Sequence, residues 1–164
     1  FFNMSKSELT AETTEEMLEV LSGKDYDIAC HLHELGKSLD CKIEPKTGAR
    51  SYKIVYSTKK PKRSLFTIEC NEKKWRVKAN LFHLNTYKDA VEECSKTIKD
   101  SITKTRTCKK CNSKCIGGSS FELDGKSYLT CIGSGHYFAN MEEMDWKNLE
   151  KLITKENNIM QESV

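Results

Sequence analysis

Apolar residues in the first forty positions recur every three or four residues, which is the spacing of an amphipathic helix. This pattern predicts one helix over about 13–22, opened by the capping-box pair Thr13 and Glu16, and a second over about 26–39. The apolar positions are Met17, Leu18 and Leu21 in the first helix and Ile28, Leu32, Leu35 and Leu39 in the second. His31 and His33 flank the second stripe on different sides, so we expect both imidazoles to be exposed to solvent.

Between residues 41 and 82 the apolar period changes to two, which is typical of strands with one buried face. The alternating positions are Tyr52, Ile54 and Tyr56, then Phe66, Ile68 and Cys70, and then Trp75, Val77, Ala79 and Leu81. The connections KTGA, STKKPKR and NEKK are short and turn-like. These segments therefore predict an antiparallel meander over about 41–82.

Helical spacing returns after Asn85, where Tyr87, Val91, Cys94, Ile98 and Ile102 predict a third helix over about 86–103. The stretch SSFELDGKSYLTC then predicts a hairpin that turns at Asp124-Gly125. A second capping box, at Asn140 and Glu143, predicts a closing helix that frays beyond Lys155. We expect this helix to bury Met144, Leu149, Leu152 and Ile153.

These elements together predict an α+β fold. Residues 1–103 form an α+β domain of three helices and an antiparallel sheet, and residues 104–164 form a cysteine-rich hairpin and a closing helix that pack as part of the same domain. A chain of 164 residues has the length of one ordinary domain. With 37% apolar and 31% charged residues, we expect a modest core beneath a heavily charged surface.

The net charge of +3 conceals a segregation of charge along the chain. Residues 1–40 hold 9 acids and 3 bases, residues 41–114 hold 20 bases and 7 acids, and residues 115–164 hold 4 bases and 8 acids. A basic middle segment is compatible with anion binding, and equally with neutralisation by the acidic ends. The bases are 23 Lys and only 4 Arg, a balance that disfavours sequence-specific reading of nucleic acid.

Four of the eight cysteines form a spacing that is typical of a metal site. Cys108, Cys111 and Cys115 lie within eight residues, and Cys131 follows at the far end of the predicted hairpin. Four converging thiolates suit tetrahedral Zn²⁺, and the predicted site is a structural one. Cys115 and Cys131 each begin a Cys-Ile-Gly sequence, in which glycine allows backbone N–H groups to point at the sulfur.

The same cysteines leave other interpretations open. An iron–sulfur cluster is disfavoured because neither CxxCxxC nor CxxxCxxC occurs. A redox CxxC is also disfavoured, because such a motif follows a strand and opens a helix, whereas Cys108 follows a basic linker. His136, in GSGHYF, is an alternative fourth ligand in place of Cys131, although a histidine making ordinary hydrogen bonds is the simpler expectation. The remaining cysteines, Cys30, Cys41, Cys70 and Cys94, are expected to be small buried apolar residues.

The C-terminal third of the chain is similar to a group of small uncharacterised bacterial proteins. The resemblance is carried by CKKC with a third cysteine, the hairpin LDGKSYLTC, the aromatic HYF and a short acidic helix, over about residues 104–153. In those proteins an α+β domain ends in a cysteine-rich, metal-binding element. The resemblance therefore supports a metal site and implies no particular activity.

No apolar run has the length of a signal peptide or of a membrane span, so we expect a cytoplasmic protein in a reducing compartment. In that setting the default function is a zinc-stabilised binding or regulatory module for a small molecule or a protein, with the sheet face or the 133–138 loop as its site. A second interpretation is nucleic-acid binding through Lys59, Lys60, Lys62, Arg63, Arg76 and Lys78. The third is a metal- or thiol-dependent enzyme centred on Cys131 and His136, the least favoured of the three because no known catalytic motif is present.

Overall fold

The computed structural model describes residues 11–48, 51–70, 74–109, 113, 115 and 117–162. Within these residues the helices are α1 (Ala11–Leu18), α2 (Gly23–Ser38), α3 (Lys88–Glu92), α4 (Lys96–Thr103) and α5 (Glu143–Glu162). The strands are β1 (Lys42–Thr47), β2 (Tyr52–Thr58), β3 (Arg63–Cys70), β4 (Trp75–Ala79), β5 (Gly118–Leu123), β6 (Lys126–Cys131) and β7 (His136–Phe138). The predicted α+β class is confirmed. The chain divides into two compact units, Phe1–Val77 and Lys78–Val164.

Five strands form one antiparallel sheet in the order β1-β2-β3-β4-β7. The predicted meander accounts for the first four strands, with β1 pairing with β2 and β2 with β3. The fifth strand, β7, was not predicted as part of the sheet. Its sequence is only HYF, and three residues are too few to establish an alternating pattern.

The alternation in β2, β3 and β4 matches the observed burial of side chains. The predicted inward positions from Tyr52 to Ala79 are all 8% exposed or less. Tyr56 and Phe66 face each other across β2 and β3, and their rings stack with centroids 4.2 Å apart. In β3 the intervening residues Leu65 and Thr67 are also buried, so this strand is covered on both faces.

The second helix buries one of its histidines, contrary to the sequence prediction. His31 is exposed, but His33 is only 5% exposed, and its Nδ1 lies 2.7 Å from the hydroxyl of Tyr56. The prediction for His33 was wrong because a polar partner on the sheet makes burial of the imidazole acceptable. Periodicity within the helix carries no information about that partner.

The predicted helix over 86–103 is interrupted, and the structure has the separate helices α3 and α4 in its place. The break lies at Ser95, which has extended backbone angles and whose Oγ accepts a hydrogen bond from the N–H of Ile98. Ser95 is thus the N-cap of α4. The apolar spacing of Val91, Ile98 and Ile102 continues across the break, which is why the pattern suggested a single helix.

The C-terminal part contains the predicted hairpin and a longer final helix than expected. β5 pairs with β6 in register around Asp124-Gly125, as predicted. α5 continues to Glu162 and buries Glu156, Asn157 and Met160, so the expected fraying beyond Lys155 was wrong. Leu149, Leu152 and Ile153 are buried as predicted, whereas Met144 is 66% exposed and lies on the outer side of the first turn.

Candidate functional site

Two of the predicted metal ligands, Cys108 and Cys131, lie at one end of the β5–β6 hairpin. The segment 106–108 runs antiparallel to β6, with Thr107 opposite Thr130. The N–H of Cys131 donates to the carbonyl of Arg106 at 2.7 Å, and the N–H of Cys108 donates to the carbonyl of Leu129 at 3.0 Å. These backbone hydrogen bonds hold Cys108 and Cys131 on neighbouring extended segments.

A glycine lies where these two segments meet β5. Gly118 is paired directly with Cys131 across the hairpin. A methyl group added at Gly118 would come within 2.6 Å of the Cβ of Cys108, so no side chain fits there without displacing that cysteine. Cys108 is therefore packed against the residue that faces Cys131, and both cysteines belong to the same end of the hairpin.

The other two predicted ligands are located less completely. Cys115 is half-buried and precedes the start of β5 by three residues. Cys111 lies outside the described residues. Among the residues that the structure describes, no three side chains of His, Cys, Asp or Glu are grouped so as to hold a metal ion. The four-cysteine site thus stays a prediction from spacing. The structure locates three of its four residues, Cys108, Cys115 and Cys131.

The loop that follows Cys131 favours the thiolate form of its side chain. Ser134 contributes most to lowering the pKa of the Cys131 thiol, Gly133 and Arg106 lower it further, and burial opposes them. The Ser134 hydroxyl donates to the carbonyl oxygen of Cys131 at 3.3 Å, which fixes the turn. The thiolate is the form that binds a metal or acts as a nucleophile.

The loop after Cys131 ends at Gly135, where the chain turns close to the end of β4. Gly135 has a φ of +64°, and a Cβ at this position would come within 2.7 Å of Lys78 Cε and 2.8 Å of Asn80 Oδ1. Both the backbone angle and the close approach therefore require glycine. The end of β4 packs against the 133–135 loop and leaves no open cradle at Gly135 for a ligand.

His136 is a core residue in the structure. It is 3% exposed, and its Nδ1 lies 2.5 Å from the hydroxyl of Thr105. Burial lowers its pKa to about 4, although hydrogen bonds with the backbone of Leu81 and Ile102 act in the opposite direction. In the described part of the chain no hydrogen bond joins His136 to Cys131, so the pairing of nucleophile and base that an enzyme would need is not formed.

The lone cysteines divide into two groups. Cys41, Cys70 and Cys94 are buried as predicted, and burial raises the pKa of each thiol to about 11. Cys30 is only half-buried, on α2, so the prediction of burial was wrong for this residue. The three buried thiols are unreactive packing residues.

The basic residues proposed for nucleic-acid binding lie at opposite ends of β3. Lys59, Lys60 and Lys62 form the turn between β2 and β3, and Arg63 begins β3. Arg76 pairs instead with Glu69, near the other end of that strand, with 2.6 Å between Nε and Oε2. The six residue-to-residue steps from 63 to 69 span roughly 20 Å at the rise of an extended strand. Lys59 is paired with Asp40 at 2.9 Å, so the turn is also partly neutralised. This separation does not favour one continuous binding surface.

A buried cluster in the second unit was not predicted from the sequence. Glu156 on α5 is 0% exposed, and its carboxylate accepts hydrogen bonds from the backbone N–H of His83 at 3.0 Å and from the hydroxyl of Tyr87 at 2.7 Å. Its second oxygen lies 2.5 Å from Nδ1 of His83. Three donors from one short turn satisfy the carboxylate, which makes its burial tolerable. Only the position of Glu156 on the apolar stripe of α5 would have signalled this role.

No protein family model, curated protein or solved structure matches this chain.

No helix in the described part of the chain has both the length and the apolar character needed to cross a membrane.

Proposed function

We propose that this protein is a small binding module whose C-terminal hairpin is held by a structural zinc ion on Cys108, Cys111, Cys115 and Cys131. The observation that carries the proposal is the backbone pairing that holds Cys108 and Cys131 at the same end of the hairpin, where their N–H groups donate to the carbonyls of Leu129 and Arg106. The glycine-containing loop after Cys131 adds to this, because Ser134 and Gly133 lower the pKa of the Cys131 thiol and so favour the thiolate that a metal binds.

The fit of a zinc ion is also supported by the packing around the cysteines. Cys108 lies against Gly118, and Gly118 is paired with Cys131, so two of the four sulfurs come from adjoining segments. Four thiolates on Zn²⁺ carry a net charge of about −2, and Arg106 and the neighbouring lysines would offset it. When bound, the ion would supply cross-links and no catalytic chemistry, since four sulfurs leave no open position.

The role of the ion would be to stabilise the fold by cross-linking the chain. It would connect the chain after α4 to β6, and the segment after β6 leads through β7 to α5. A chain with 37% apolar residues has limited core, and a metal staple contributes stability that burial alone does not supply. In this proposal the surface that binds a partner lies elsewhere on the molecule.

Elemental analysis of the purified full chain tests the site directly. We expect about one zinc per chain, and a fall in melting temperature after chelation. Cys131→Ser should lose the zinc and melt at the temperature of the chelated protein. Cys30→Ser is the matched control, because Cys30 is half-buried but lies on α2 in the other unit, and its zinc content should be unchanged. Absence of metal together with unchanged melting after chelation contradicts the proposal.

A further inference from the structure

A cavity of about 360 Å³ lies between one face of α4 and the turn of the β5–β6 hairpin. The helix contributes Lys96, Lys99 and Thr103, which follow one another at helical spacing, and the hairpin contributes Leu123, Lys126 and Tyr128. No cysteine lines this space. It lies within the second unit and is separate from the cysteine end of the hairpin, which is at the opposite end of β5 and β6.

The hairpin side of the cavity provides an apolar wall. Leu123 is 2% exposed, and the half-buried ring of Tyr128 is stacked on Phe121, with centroids 5.3 Å apart and planes at 17°. Phe121 and Tyr128 are direct partners across the hairpin, so the stack fixes the orientation of the Tyr128 ring. A flat ring held in this way suits contact with a planar apolar group.

The charges around the cavity leave an excess of one positive charge. Lys96 pairs with Asp100 at 2.8 Å, and Lys99 pairs with Asp124 at 3.2 Å, both acids also lining the cavity. Lys126 has no ion-pair partner, and the hydroxyl of Tyr128 has no hydrogen-bond partner, among the residues that the structure describes. Lys126 and Tyr128 are two residues apart on β6, so their side chains project from the same face of the strand.

We propose that this cavity binds a small organic anion with a planar apolar body, of the class of aromatic carboxylates. The carboxylate would be held by the ammonium group of Lys126 and the hydroxyl of Tyr128, and the aromatic body would lie against Tyr128 and Leu123. Ligand sites combine apolar walls with polar groups that orient the ligand. In this mostly charged cavity Leu123 and Tyr128 supply the apolar part. This ligand site is separate from the proposed zinc site and lies in a different part of the same unit.

The test uses three probes that separate the parts of such a ligand: 2-naphthoate, the neutral 2-naphthalenemethanol, and acetate. Each is titrated into the purified full chain at low salt, with backbone amide shifts followed by NMR. We expect 2-naphthoate to shift the amides of Lys99, Leu123 and Tyr128 and to bind about two- to fivefold more tightly than the alcohol. Salt should remove that advantage, because the charged contact is exposed to solvent. Acetate should bind more weakly than either aromatic probe.

Variants assign the contacts. Lys126→Gln should weaken 2-naphthoate about two- to fivefold and leave the alcohol unchanged. Tyr128→Leu should weaken both aromatic probes about two- to tenfold, and its spectrum reports whether the hairpin is still folded. Lys147→Gln is the control, since Lys147 lies on the exposed side of α5 and pairs with Glu143.

Three results overturn the proposal: no binding of 2-naphthoate up to about 5 mM, shifts confined to residues outside the cavity, or full affinity in Lys126→Gln. Zinc content is measured on the same samples. A chain that holds zinc and binds no probe contradicts the ligand site alone, and a chain that lacks zinc but binds 2-naphthoate contradicts the metal site alone.

Discussion

Two buried ionisable side chains show how single residues are accommodated in this molecule. Glu156 has three donors for its carboxylate, whereas the described residues give His33 one side-chain hydrogen-bond partner, the Tyr56 hydroxyl. A buried imidazole with one neutral partner is easily kept uncharged and is costly to protonate. His33 should therefore make stability depend on pH.

The direction of that dependence follows from the pKa of His33. Burial lowers it, Lys37 lowers it further, and Glu34 and Glu15 act in the opposite direction. The unfolded chain, with an ordinary histidine pKa of about 6.5, takes up the proton first as the pH falls. The stability that comes from keeping His33 neutral should thus be complete above about pH 6.5. Below that pH the free energy of unfolding should decrease by up to about 1.4 kcal/mol per pH unit for this residue, until the lower pKa of the folded state is reached.

Urea denaturation of the wild type, His33→Gln and His31→Gln between pH 7 and 5 measures this contribution. His33→Gln should have a shallower slope of unfolding free energy against pH. His31→Gln changes the exposed histidine on the same helix and should keep the wild-type slope. Equal slopes in all three proteins would show that His33 is not responsible.

At the scale of elements, Ser95 both begins α4 and connects it to α5. Its Oγ is 2.5 Å from Oδ1 of Asp145, and its backbone N–H donates to Oδ1 of Asn148 at 2.8 Å. Asp145 is 5% exposed and also accepts from the N–H of Glu142 at 2.8 Å. One serine thus supports the first turns of two helices.

Ser95→Ala should lower the free energy of unfolding by about 1–3 kcal/mol, because it removes the N-cap and leaves one oxygen of buried Asp145 with fewer donors. Ser95→Thr keeps the hydroxyl and should lose less. Ser101→Ala is the control, since the Ser101 hydroxyl bonds only to a carbonyl of its own helix on the exposed side, and its effect should be within about 0.5 kcal/mol. Similar losses in Ser95→Ala and Ser101→Ala would contradict the role of Ser95.

The elements were predictable where burial follows a simple period. They were unpredictable where a hydrogen-bond partner far away in the sequence determines a helix end or the burial of a side chain. Alternation located β2, β3 and β4, and Asp124-Gly125 located the hairpin, because these signals are local. The break at Ser95 depends on Asp145 and Asn148, some fifty residues later. The burial of Glu156 depends on the turn that contains His83 and Tyr87, so polar residues near the end of α5 wrongly suggested fraying.

For the molecule as a whole, the eight cysteines provide a measurement of folding and metal binding together. In the zinc-loaded folded protein, N-ethylmaleimide should modify Cys30 and spare the four predicted ligands. After chelation, Cys108, Cys115 and Cys131 should react, because each is half-buried and accessible. Cys41, Cys70 and Cys94 should react only on unfolding, since burial raises the pKa of each to about 11.

Peptide mass spectrometry of the modified protein assigns each site. Equal modification of Cys108 and Cys131 with and without chelator would show that no metal protects them. Modification of Cys70 in the folded protein would contradict its burial.

The candidate site was predictable from spacing only as a set of four residues, because the contacts that favour a Cys131 thiolate come from Ser134 and Gly133, whose geometry the spacing does not specify.

The Glu156 cluster also has a consequence for how this sequence can change over generations. A substitution at Glu156 alone leaves the buried hydroxyl of Tyr87 without its acceptor, and a change at Tyr87 alone removes one of the donors to the buried carboxylate. Each single step is therefore costly, while a joint replacement by apolar residues of matching volume need not be. Substitutions at positions 87 and 156 are therefore coupled, and divergent relatives of this chain should keep Tyr87 and Glu156 or have replaced both together.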